Sequence, residues 1–328
     1  MKKALIPHLA IIAAVVSLSF GINHFFYYLS PLFLSLLAGI IAGNSLTFSK
    51  NFQSTLSLTS KKAMRMGISL LGLQITFKTF SSIGLKGFIA ILFIVLVTFT
   101  VTRWSAQKFG FTPGLSLLIA GGFSICGASA IAAIGAARKS DKNEISYAVG
   151  LVTLLGTLSI FVIPPLTKLF NLHNTTSGAW IGAAVHDVGQ VIATASIVGG
   201  GTLKYAVITK LARVVLLAPL LVFLSAQSHR AAEVKPDLKT RVTSFLPPFI
   251  AAFLVLVIFN NSVNLSPHVE SYFSNISKFL LSMGLFSMAA TVRFADLKRI
   301  GGKPLLFGIG AWIMFGAFSL TIIKSLGI

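Results

Sequence analysis

Acidic residues are scarce in this chain, seven in 328 against 27 lysines and arginines, and charged residues of both signs make up only 10% of it. With 55% hydrophobic residues and a mean hydropathy of +0.88, that scarcity excludes an ordinary water-soluble domain and leaves no length for a separate soluble catalytic one. Cysteine occurs once, at Cys126, so no disulfide can close within the chain and a zinc site built on paired cysteines is excluded. His8, His24, His173, His229 and His268 lie at segment ends or in connectors without ligand spacing, and no metal site is expected. A phosphate-binding Gly-rich loop with its Lys is also missing, so no soluble cofactor is implied. Nor is an enzyme expected. Cys126 or His186 could serve chemistry on lipids, but neither has a nucleophile–base partner near it in sequence, and Cys126 reads as a small buried side chain.

What the chain has is apolar length. A helix needs about 20 apolar residues to cross the hydrocarbon, which predicts about eleven crossings, roughly at 6–28, 31–48, 63–80, 86–105, 113–137, 145–167, 178–200, 204–226, 245–261, 275–293 and 303–325. The start, Met1-Lys2-Lys3 before an apolar run, lacks a convincing cleavage site and reads as the first of these helices, not as a signal peptide. The net charge of +20 would suggest nucleic acid in a soluble protein. Here the basic residues fall mostly in short connectors, at 49–65, 103–110, 168–177, 227–244 and 293–303, where they set membrane orientation and place the N-terminus in the cytoplasm. No nucleic-acid partner is expected. The loop from Arg138 to Lys142 runs against this orientation.

An internal repeat organises the chain. At an offset of 217 residues Pro31 matches Pro248, Asn44 matches Asn261, Met66-Gly67 matches Met283-Gly284, Phe77 matches Phe294, Gly84 matches Gly301 and Lys86 matches Lys303. The copies, 31–104 and 248–321, are separated by an odd number of segments and so face opposite ways: an inverted repeat, the mark of secondary transporters. Chance likeness between apolar helices is the competing explanation.

Three clusters could carry chemistry. Five of the acidic residues, Asp141, Glu144, Glu233, Asp237 and Glu270, sit in connectors and Asp296 follows a span, which leaves Asp187 alone deep inside one. A carboxylate there costs several kcal/mol unless it is paired or reaches water. Asp187, Gln190 and Thr194 fall at helical spacing on one face, with His186 beside them, as a functional stripe or as polar ties between helices. Lys210 and Arg213 share a face of the next span. Two cations against one carboxylate favour an anionic substrate, which Arg213 could grip with two parallel hydrogen bonds. The alternative is snorkelling by Lys210 and a structural pair of Arg213 with Asp187. In the fifth segment, Gly121-Gly122-Phe123-Ser124-Ile125-Cys126-Gly127-Ala128-Ser129-Ala130 is rich enough in small residues to break a helix. A helix restarting near Gly127 would offer the N–H groups of Ala128, Ser129 and Ala130 to an anion, helped by the Ser124 and Ser129 hydroxyls. Close helix packing through small residues would explain the same run.

Ser124 to Ala130, followed by His186-Asp187-Val188-Gly189-Gln190-Val191 and Lys210-Leu211-Ala212-Arg213, resembles the YeiH-type sulfate exporter family of bacterial inner membrane proteins, over nearly the whole chain. The resemblance implies multi-pass transport of a small sulfur-containing anion. Met66 to Leu70 with Thr76 to Phe80 is similar, more weakly, to the bile acid and sodium symporter superfamily, which implies two discontinuous helices crossing at the midplane; the broken-helix candidates here are the fifth and seventh segments, an order that departs from a simple five-plus-five plan. The sodium ligands of that superfamily are missing here. The expectation is therefore an all-α polytopic exporter of a small anion, sulfate, sulfite or a relative, lying in the lipid bilayer of the inner membrane. Its substrate-binding residues would be Ser124, Cys126, Gly127, Ala128, Ser129, Gln190, Lys210 and Arg213, with His186 and Asp187 as the proton-coupling pair. A homodimer is compatible with this plan. A cation/proton antiporter using Asp187 and a passive anion channel are the alternatives.

Overall fold

The computed structural model describes residues 2–26, 30–228, 248–263, 265–292 and 302–327. Among them there are only helices and turns: α1 (Lys2–Phe25), α2 (Pro31–Ser45), α3 (Lys50–Leu71), a 3-10 turn (Gly72–Gln74), α4 (Phe77–Lys108), α5 (Pro113–Gly121), a π turn (Gly122–Cys126), α6 (Ala128–Arg138), α7 (Lys142–Leu169), α8 (Asn174–Ala184), α9 (Val188–Val198), α10 (Thr202–Val215), α11 (Leu217–Ser228), α12 (Pro248–Ser262), α13 (Pro267–Ala289) and α14 (Gly302–Ser325). Among the described residues, four stretches are long and apolar enough to cross a membrane as single helices: Ile6–Phe25, Gly84–Lys108, Lys142–Leu169 and Gly302–Ser325. The chain is an all-α, polytopic membrane protein. The expectations placed on Glu233, Asp237, Phe294, Asp296 and Gly301 lie outside the described residues, as do the connectors 227–244 and 293–303 but for their end residues.

Several predicted segments end elsewhere, for physical reasons. The stretch 49–65, read as a basic connector, is helical from Lys50, its start capped by the Ser49 hydroxyl accepting from Phe52 N at 3.2 Å. Its buried residues Phe52, Leu56, Thr59, Ala63 and Gly67 recur at three- and four-residue steps, so the lysines fall on the other side. A hydropathy window averages the two faces and misses such a helix. The segment predicted at 63–80 stops at Leu71, and a new helix starts at Phe77. Gly84 then interrupts α4 with φ 56° and ψ −172°, a conformation open essentially to glycine alone. In the segment predicted at 204–226, Pro219 cannot donate to the Val215 carbonyl, and the helix is jointed at Leu216 between α10 and α11.

The chain divides into two compact units, Met1–Phe77 with Phe249–Arg299, and Lys78–Pro248 with Ile300–Ile328. In the first, Ile12, Val16, Leu56 and Phe286 form a core joining α1, α3 and α13. Its contacts come in reciprocal pairs. Asn44 Nδ2 donates to the carbonyl of Ile40 at 2.9 Å and to that of Val292 at 3.0 Å. Asn261 Nδ2 donates to the carbonyl of Val257 at 2.7 Å and to that of Ile75 at 3.0 Å. A Cβ on Gly67 would lie 2.8 Å from the Leu281 side chain, and one on Gly284 3.1 Å from Met64. A shift of 217 residues turns each member of these pairs into the other.

The second unit packs around Leu118, Ile131, Leu151, Leu155 and Phe315, with a further cluster at Trp180, Ile181, Val185, Val191 and Ala206. Two tryptophans fasten α14 to it: Trp180 Nε1 donates to the Gly316 carbonyl at 2.8 Å, and Trp312 Nε1 to the Ser159 hydroxyl at 2.9 Å. In apolar surroundings, such otherwise unpaired groups need these partners.

Backbone proximity in the first unit generates a prediction. A Cβ on Gly43 would sit 2.5 Å from the Ala290 carbonyl oxygen, and backbone cannot rotate away, whereas nothing lies within 4 Å of one on Gly316. Gly43→Ala is expected to cost about 1–3 kcal/mol through overpacking. Purified Gly43→Ala should melt several degrees lower in detergent, with Gly316→Ala at or slightly above the parent; equal melting of the two variants would contradict the close approach.

Candidate functional site

The π turn and α6 begin the site. Gly127 N donates to the Gly122 carbonyl at 3.0 Å, closing the wide turn, and Gly127 adopts φ 65° and ψ −133°, again a conformation that favours glycine. The helix restarts at Ala128, where the sequence predicted a break. No side chain caps this new N-terminus. Ser129 is exposed, and its hydroxyl reaches back to the Cys126 carbonyl and Sγ, each at 2.9 Å.

A second interruption lies at Val185–Asp187, between α8 and α9. The expected stripe of Asp187, Gln190 and Thr194 is corrected here, because Asp187 is extended (φ −101°, ψ 151°) and caps α9 instead of lying within a continuous helix. Its Oδ1 accepts from Gly189 N at 2.9 Å, while its own N–H donates to Gln190 Oε1 at 3.1 Å, a capping box. Gln190 Nε2 donates to the Thr153 carbonyl at 3.1 Å, and Thr194 donates to the Gln190 carbonyl at 2.7 Å. Gln190 thus has both ends of its amide engaged, Oε1 in capping α9 and Nε2 in tying α9 to α7. The two interruptions touch: a Cβ on Gly127 would lie 3.4 Å from both Asp187 Cβ and the His186 carbonyl oxygen. Asp187 is half-buried, while His186 is buried with its ring 4.5 Å from that of Phe123. Neither ring nitrogen of His186 has a hydrogen-bond partner of good geometry, and the Ser124 hydroxyl has none either.

Lys210 and Arg213 are 0% and 1% exposed, the most enclosed cations among the described residues. Lys210 Nζ donates to the carbonyls of Ile125 and Val185, both at 2.8 Å. Arg213 donates to Ser124 O at 3.0 Å, Phe123 O at 2.7 Å, Gly182 O at 3.1 Å and Val185 O at 3.3 Å, and also to Ala183 O. These acceptors are the carbonyls that the two interruptions leave without helical partners. Each helix C-terminus carries roughly half a negative charge, and the two cations lie against both. The bidentate grip expected of Arg213 on a substrate is therefore corrected, since its three nitrogens are directed at the protein's own backbone. Sequence reasoning missed Phe123, Gly182 and Ala183 as partners, because only backbone takes part and any residue supplies a carbonyl.

Residues 6–308 match a family described as conserved hypothetical protein 698. A UPF0324 membrane protein of Corynebacterium glutamicum is 35% identical over 323 residues, covering 98% of this chain and 93% of that protein. The chain belongs to the UPF0324 family. The UPF0324 inner membrane protein YeiH of Escherichia coli K12 is 31% identical, over 90% of this chain and 86% of its own length, and a UPF0324 membrane protein of Yersinia pestis is 30% identical over 97% and 92%. The expected YeiH-type family is thereby established, and this UPF0324 chain is a multi-pass inner-membrane protein. No solved structure matches it.

Removing one partner from a buried, hydrogen-bonded charge cluster costs about 3–5 kcal/mol. Arg213→Ala should therefore lower the melting temperature in detergent by roughly 10 °C or abolish folding, with the ligand-free protein as affected as the liganded one. Ser129→Ala, at an exposed position, should melt within about 2 °C of the parent. If Arg213→Ala melts normally and loses only ligand affinity, the carbonyl clasp is not what Arg213 provides.

Proposed function

We propose that this UPF0324 chain is a secondary active transporter, an exporter of a small sulfur oxyanion such as sulfate or sulfite, coupled to protons through Asp187. The observation that carries the reading is the pair of touching helix interruptions with one capped and one uncapped N-terminus. Half-helix ends contribute equal and opposite charges of roughly one half each. They cancel over the pair, so Lys210, Arg213 and an ionised Asp187 leave one positive charge. A protonated Asp187 leaves two. An anion is favoured in both states and a dianion most in the protonated one, which gives the coupling. Substrate oxygens would take the N–H groups of Ala128, Ser129 and Ala130, with the Ser129 hydroxyl beside them. Ser124, Cys126, Gly127, Gln190, Lys210 and Arg213 would shape and polarise the site from around it, and His186 would pass the proton.

The same reading takes the chain to have about eleven crossings and an inverted repeat, 31–104 with 248–321, with the interruptions near the midplane. It is supported by the reciprocal Asn44–Val292 and Asn261–Ile75 bonds and by α2 and α12, whose bounds Pro31–Ser45 and Pro248–Ser262 are one shift apart. Sodium or another cation bound by Asp187 in exchange for protons is the second reading. It gains from one observation: Lys210 and Arg213 are directed at carbonyls, so their charges oppose a cation less than the sequence suggests.

Reconstituted vesicles decide between the two. Labelled sulfate, sulfite, thiosulfate and taurine should be tried under an imposed pH gradient, with sodium and chloride as controls. Uphill movement of one oxyanion should be lost in Asp187→Asn, whose side-chain oxygen can still cap α9. Full, pH-dependent, uphill transport by Asp187→Asn would sink the coupling role, and a sodium response without any oxyanion response would promote the cation reading.

A further inference from the structure

A shift much shorter than 217 relates the elements around the site. Helix α6 runs from 128 to 138 and α9 from 188 to 198, each eleven residues long. Helices α7 and α10 begin at 142 and 202, and the residues at the two interruptions are Gly127 and Asp187, all sixty apart. The shift also holds for contacts. Lys210 Nζ is 2.8 Å from both the Ile125 and the Val185 carbonyls, which are sixty apart, and Arg213 reaches both Phe123 and Ala183, again sixty apart. Gly127 and Asp187 touch each other. Equivalent atoms meeting at one point are what a two-fold axis requires.

We propose that residues 113–169 and 174–228 are two copies of one interrupted-helix unit about a local two-fold axis, and that Lys210 is the positioning residue on that axis, holding both interruptions in place. Lys210 belongs to the second copy, and its counterpart in the first is Gly150; the counterpart of Arg213 is Thr153. Cations from one copy are enough because the axis brings both C-terminal ends to them, and further cations at positions 150 and 153 would be repelled. The arrangement leaves the two N-termini unequal: Asp187 caps one, and Gly127, with no side chain, leaves the other open. Lys210 thus sets the spacing between the Asp187 carboxylate and the open N-terminus of α6. The ligand-binding part of this inference rests on the transport reading above; the symmetry part does not.

A cation moved across the axis should reach the same two carbonyls. Lys210→Met should lower the melting temperature of the ligand-free protein by roughly 5–10 °C and weaken binding of sulfate or sulfite, used as the probes, at least tenfold. In Gly150→Lys/Lys210→Met most of the lost melting temperature and affinity should return, and in Gly150→Met/Lys210→Met, which adds bulk without charge, neither should. Equal melting of the two double variants, or failure of both to give monodisperse protein, overturns the axis. The melting comparison does not depend on what the protein carries. Restored melting without any oxyanion binding would therefore keep the axis, overturn the role of Lys210 in setting the ligand site, and count against the transport reading.

Discussion

Two buried cations and two broken helices require each other in this protein. A helix that stops inside apolar surroundings strands carbonyls that have no water to turn to, at several kcal/mol for each unsatisfied group. A lysine and an arginine buried to within 1% of completely are just as unfavourable without acceptors. The carbonyls of residues 123–125 and of 182, 183 and 185 are what α10 presents its cations to. Because the acceptors are backbone, the arrangement fixes where the chain is interrupted, and Gly127 supplies the conformation that the first interruption needs.

The two units meet the shortage of water by different means. The first uses contact: Gly39 and Gly43 let backbones approach until no Cβ would fit, Gly67 and Gly284 pack closely on Leu281 and Met64, and Asn44 and Asn261 hold the carbonyls of Val292 and Ile75. Small residues at helix contacts gain dispersion energy where no hydrophobic drive between helices remains. The second unit uses charge and irregular backbone; buried polar atoms without partners occur in both units, and in the second the Ser124 hydroxyl and both His186 ring nitrogens, at the interruptions, are among them. Close packing suits a frame. Unpaired polar groups beside a half-buried carboxylate suit a place where something binds.

Much of this was legible in the sequence, and what was not has physical causes. Apolar runs showed a polytopic helical protein, and the small residues from Gly121 to Ala130 marked the first interruption within a residue. The second was placed in the seventh segment but not at a residue, because Val185 to Asp187 contains no glycine or proline and a capping aspartate has the same spacing to Gln190 and Thr194 as one inside a helix. Helix α3 was half lost because its apolar residues cover only one face. Lys210 and Arg213 were placed inside a span and on one face, but their partners are carbonyls, which no residue type announces. The sixty-residue relation is nearly silent in the sequence for the same reason: Gly122 with Gly182 and Ala133 with Ala193 are among the few identities it leaves, since the two copies share a backbone path and little side-chain chemistry.

That divergence bears on how one carboxylate could govern an anion site. Were both interruptions capped by aspartate, each N-terminus would be neutralised internally and an anion would meet two like charges. Were both glycine, the site would attract anions at every stage and would have nothing to release them. With one of each, the charge near the open N-terminus of α6 changes by a full unit when Asp187 gains or loses a proton, while the helix that Asp187 caps keeps an oxygen acceptor in both states. A full unit of charge outweighs the roughly half charge of a helix end. On the proposed reading, the asymmetry between Gly127 and Asp187 is therefore what converts a static anion-binding fold into one that can couple binding to protons.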